Sequence, residues 1–126
     1  MSIWHDQSIE SRIREILDSV PDEGHHFGRP FLSAYQIAIA FDQRYRDEAD
    51  IIAKPVGGKD TGRHDSLAKY FANQLSRRIR DRSLPDIEGC YLSGQFLESL
   101  EYENGRETVA SSLGRANMSI FRLAPL

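Results

Sequence analysis

An α+β domain, with three principal helices followed by a small antiparallel sheet, is the fold class this sequence predicts. Apolar residues recur at helical spacing in three stretches, and Pro/Gly clusters separate them. The last part of the chain then offers an Asn-Gly turn and an alternating segment. With 126 residues and 40% apolar content, the chain is expected to form one compact domain over 1–126, because division would leave two marginal cores.

The first helix is expected over 8–20, SIESRIREILDSV, where Ile9, Ile13, Ile16, Leu17 and Val20 share one face. Pro21-Asp22-Glu23-Gly24 stops it, and residues 25–30 read as an irregular connector. The second helix starts at Ser33, three residues before Gln36, in a capping-box pattern, with Phe31 or Leu32 available as a staple. Ala34, Ile37, Ala38, Phe41 and Tyr45 form its stripe, and nothing breaks it before about Ile52. A glycine-containing loop around 54–65 is expected to be flexible. Asp65 or Ser66 then caps a third helix, on which Leu67, Phe71, Leu75 and Ile79 recur every four residues.

The C-terminal third mixes helical and strand spacings over 90–100, so periodicity assigns that stretch no type. Asn104-Gly105 suits a type I′ hairpin turn between LESLEYE and RETVA, and the alternation in MSIFRLAPL suits a further strand. Helices first and a hairpin-containing sheet last resemble, in layout over about 8–123, a winged helix-turn-helix domain. The resemblance implies a helix presented to the major groove of double-stranded DNA, a hairpin wing on the backbone, and two-fold association into a homodimer. About a dozen residues with three glycines separate the second and third helices, longer than the turn of a helix-turn-helix.

The net charge of −3 is unevenly distributed. Residues 54–82 hold eight Lys/Arg against three acids, a local +5 that leaves −8 for the rest. On the third helix, Lys69, Asn73, Arg77 and Arg80 share a face apart from the apolar stripe. Arg and Lys pair with phosphates, Arg also grips guanine edges, and Asn reads adenine. Lys59 and Arg63 in the glycine loop are expected to contact backbone phosphate, and Arg106 beside the Asn-Gly turn to act from the wing. The same cations near a helix C-terminus also have an ordinary role against the macrodipole.

Other chemistry is poorly served. Reading Gly58-Lys59 as the end of a Walker motif puts Ala53 where the first glycine belongs and Asp60 where the hydroxyl belongs. A looser anion site, made of glycine-loop amides and the start of the third helix with Thr61 and Ser66 as donors, competes with a plain surface loop. His25 and His26 are adjacent rather than convergent, and the single cysteine, Cys90, allows neither an intrachain disulfide nor a cysteine-based metal site. Asp47, Glu48 and Asp50 suit helix solubility before acid–base catalysis. No catalytic residue, cofactor or metal is therefore expected. The lone cysteine, the lack of a signal-like N-terminus and the lack of a membrane-length apolar run lead to a cytoplasmic expectation.

The leading expectation is a non-catalytic nucleic-acid-binding regulator or accessory factor. The alternative is a protein-interaction adaptor or oligomeric structural protein, using Trp4, Phe96 and Tyr102 as exposed anchors.

Overall fold

Ile9, Ile13, Ile16 and Leu17 are at most 2% exposed, and their shared face holds the first long helix against the core. The computed structural model describes residues 3–57, 66–105, 108–110 and 117–125. Along them run α1 (Ile3–Asp6), α2 (Ile9–Asp18), β1 (Leu32–Ser33), α3 (Ala34–Arg44), α4 (Arg46–Ile52) and α5 (Leu67–Arg80). The strands β2 (Ile87–Leu92), β3 (Glu101–Glu103), β4 (Thr108–Ala110) and β5 (Met118–Leu123) follow. The molecule is thus a mixed α+β fold with five helices among the described residues and a small antiparallel sheet. None of these helices is long and apolar enough to cross a membrane.

The capping box at Ser33 forms as its sequence predicts. The Ser33 hydroxyl accepts from the Gln36 amide at 3.3 Å, and the Gln36 side chain accepts from the Ser33 amide at 2.7 Å. The predicted second helix, however, breaks at Tyr45, where φ is −125° and ψ 57°. No Pro or Gly marks that point; tertiary contacts hold it instead. The Tyr45 hydroxyl donates to Glu15 on α2, and the Arg12 guanidinium lies 4.7 Å from the Tyr45 ring centroid.

α5 packs its apolar face on α3. Phe71 is fully buried and meets Phe41 edge to face, 5.1 Å between centroids at 64°. Burying one such ring contributes roughly 1.5–3 kcal/mol. Leu67, Ala68 and Leu75 complete the stripe, and Ile79 is half-buried at its end.

β5 is the middle strand of a three-stranded antiparallel sheet ordered β1-β5-β2. Leu32 lies opposite Phe121, and the β2 register runs from Ile87 opposite Leu123 to Leu92 opposite Met118. Phe121 is 2% exposed and Met118 is 4% exposed, so both faces of this strand contribute to the core. β3 and β4 form a separate hairpin in which Glu103 pairs with Thr108. Four residues, not two, therefore connect these strands, and the two-residue type I′ turn expected at Asn104-Gly105 gives way to a longer connection. Gly105 does adopt a positive φ of 88°. The stretch 90–100, which periodicity leaves untyped, ends β2 and then turns: the Leu97 amide donates to the Gly94 carbonyl at 3.2 Å.

Candidate nucleic-acid interface

α5 carries four of the residues expected to bind nucleic acid, so its local construction decides how they are presented. Ser66 is its N-cap and accepts from the Lys69 amide at 3.1 Å. The Leu67 and Ala68 amides donate to the carbonyls of Pro55 and Val56, at 2.7 and 3.0 Å. These donors at the helix start are thus satisfied within the chain. The anion site that competes with a plain surface loop thus has no free donor among the first three amides of the helix, and its remaining part, residues 58–65, lies outside the described residues. Gly57 sits beside this junction with φ +133°, and a Cβ there would come within 3.1 Å of the Tyr35 ring.

On the opposite face, Asn73, Arg77 and Arg80 are exposed and Lys69 is half-buried. α3 meets the apolar side of α5, so the basic row is not covered by the second helix region. Among the described residues, no ion pair within 4 Å involves Lys69, Arg77 or Arg80. Asp81, the C-cap, lies close enough to Arg80 to feel its charge. Its carboxylate accepts from the Ser83 hydroxyl and, at 2.9 Å, from the Ser83 amide, and these bonds hold its pKa below the usual carboxylate value. Lys59, Arg63 and Arg106 lie outside the described residues.

Several other arginines serve the fold. Arg78 stacks over Trp4, with its guanidinium carbon 4.5 Å from the ring centroid, and donates to Gln74 at 3.2 Å. Arg14 pairs with Asp86 and Arg12 with Glu48, tying α2 to the chain after α5 and to α4. Arg122 pairs with Glu88 at 2.9 Å and donates to the Phe27 and Arg29 carbonyls, pinning the connector before β1. Arg46 bridges Asp42 and Asp50 along α3 and α4, and with Lys54 the formal charges lining their groove sum to zero.

The aromatic residues expected on the surface separate into three situations. Trp4 is 2% exposed and belongs to the core, so it offers no surface to a partner; the apolar face of α2 and the Arg78 stack enclose it. Tyr102 is half-buried: its ring stacks on Tyr35 at 5.4 Å, and its hydroxyl donates to the Met118 sulfur at 3.0 Å. Burial raises its pKa. Only Phe96 is fully exposed, at 101%. Sequence reasoning passed over Tyr91, which is 72% exposed on β2; its signal was the strand Ile87–Leu92, which short apolar spacing did not reveal.

Among the described residues, no group of three His, Cys, Asp or Glu is placed to hold a metal ion. His25 and His26 stack on each other at 4.2 Å and against Phe27, and His25 Nδ1 accepts from the Phe27 amide. Comparison with known proteins finds no matching family model, no matching curated protein and no matching solved structure.

Proposed function

We propose that the protein binds double-stranded nucleic acid through the exposed face of α5, as a non-catalytic regulator or accessory factor in the cytoplasm. The observation that carries this reading is the row Lys69, Asn73, Arg77 and Arg80, set on the side of α5 away from the core, its three cations in no ion pair within 4 Å among the described residues. Cations so placed attract phosphates, and an asparagine among them can meet a base edge.

A winged-helix-like arrangement is part of the proposal. The order of α2, β1, α3, α5, β2 and β5, with β5 between β1 and β2, supports it. α4 and the β3–β4 hairpin are additions to that plan. Arg106, next to Asn104-Gly105 in the sequence, would act as a wing contact, and Lys59 and Arg63 would contact backbone phosphate.

The test is fluorescence anisotropy with mixed-sequence DNA duplexes over a range of salt, for the wild type and Arg77→Ala/Arg80→Ala. Each lost phosphate contact lowers the salt slope by about 0.9, so the double variant is expected to lose about 1.8. Circular dichroism should show unchanged folding. Flat anisotropy at low salt would refute duplex DNA binding. An interaction adaptor is the second reading, favoured by the exposed rings of Phe96 and Tyr91.

A further inference from the structure

β2 is an outer strand of its sheet, and no described strand pairs with its free edge. Exposed edges usually carry a lysine, a proline, a bulge or another obstacle to further pairing. β2 has no lysine and no proline, and its register with β5 is unbroken over six residues. Its one charged residue, Glu88, is held by Arg122 at 2.9 Å. Gly89, Cys90, Tyr91 and Leu92 are all exposed.

Alternation puts Gly89 and Tyr91 on the same face as their partners Phe121 and Ser119, toward α5. There a groove of about 180 Å³ opens between Ser76 and Ile79 of α5 and the strand residues Gly89, Tyr91 and Phe121. Gly89 keeps its floor low: a Cβ would stand 3.3 Å from Ile79 and 3.4 Å from Phe121. The groove has room for about six waters at their liquid volume, the size class of a phenol ring. Tyr91, on the same strand, projects such a ring largely into solvent.

We propose that β2 pairs antiparallel with β2 of a second copy about a two-fold axis at Cys90, each Tyr91 ring seating in the other copy's groove. In this register Cys90 faces itself, Gly89 faces the partner's Tyr91, and Glu88 faces the partner's Leu92. No like charges meet, and an aromatic ring covers each glycine. The same strand supplies both ring and socket, as a two-fold interface requires.

Phe96 adds a second exposed ring four residues past the end of β2. The turn closed by Leu97 and Gly94, with the Gly94 amide donating to Asn117 at 3.0 Å, holds it at a left-handed φ of 62° with its ring in solvent. Tyr91 and Phe96 each offer on the order of 150–250 Å². With Leu92 and two strands of backbone, both copies together bury on the order of 1,200 Å², where specific interfaces begin. The pairing stands independently of nucleic-acid binding by α5.

The test is light scattering on the full chain through a concentration series, together with a short bis-maleimide that links thiols. Cys90 is the only cysteine, so any linked dimer joins Cys90 to Cys90. The expected result is a mass rising to twice 14.4 kDa and efficient linking. Tyr91→Lys should weaken the dimer on the order of thirtyfold. Ser76→Trp, which fills the socket from an exposed helix position, should weaken it too, with thermal melting of both variants checking the fold. A monomer at every concentration overturns the proposal. So does a dimer indifferent to both variants, or one whose Cys90 thiols fail to link.

Discussion

Trp4→Ala tests whether the short N-terminal helix is part of the core. Trp4 is 2% exposed, and the guanidinium of Arg78 lies 4.5 Å from its ring centroid. Truncating a buried tryptophan to alanine costs about 3–5 kcal/mol, combining lost burial with the cavity left behind. Of that, the cation–π contact accounts for about 0.5–2 kcal/mol. The Arg78 Nε is buried without a hydrogen-bond partner among the described residues, and the indole face lies against its guanidinium. Domains of this size are stable by about 5–15 kcal/mol, so the loss is a large share of the whole. It corresponds to a fall in Tm of roughly 12–20 °C. Urea denaturation followed by circular dichroism measures it, and Arg78→Met with the double variant isolates the coupling between the two side chains. A loss below about 1 kcal/mol for Trp4→Ala would refute the reasoning. It would mean that α1 leaves the core at little cost, and Trp4 would return as a surface anchor.

Two further perturbations probe local structure. Ala53 caps α4 in a left-handed conformation, φ 59°, where glycine carries no Cβ penalty; Ala53→Gly should therefore stabilise the protein by about 1 kcal/mol, and a lower denaturation midpoint would contradict this. Asp86 has its pKa lowered chiefly by the hydrogen bond from Arg14, so the pair contributes stability above the unfolded carboxylate pKa and loses it as pH falls through the folded value. Because the Asp86 side chain is 54% exposed, solvent screening limits the pair to about 0.2–1 kcal/mol. Asp86→Asn should cost that much at pH 7 and nothing at a pH below both values, as read by urea denaturation; an equal cost at both would show that the charge is not responsible.

Much of the helical framework was legible because its signals are local. The stripe Ile9, Ile13, Ile16 and Leu17 lies on one face by spacing alone, and Ser33 with Gln36 satisfies a helix start within four residues. Other features gave no such signal. β1 has only two residues and exists because β5 pairs with it. The break between α3 and α4 falls at Tyr45, an acceptable helix residue, where contacts from α2 hold the backbone.

The candidate site divides along the same line. Placing Lys69, Asn73, Arg77 and Arg80 on one face of a helix needs only 3.6 residues per turn, which residue spacing supplies. It could not distinguish Arg77 and Arg80, which stand in solvent, from Arg78, which lies over an indole from the other end of the chain. Nor could it tell that Trp4 is enclosed while Phe96 is bare, since both are large aromatics in polar surroundings. Periodicity reports which side chains share a face of one element. Which faces are covered depends on elements distant in the chain, whose packing emerges only when the whole chain folds.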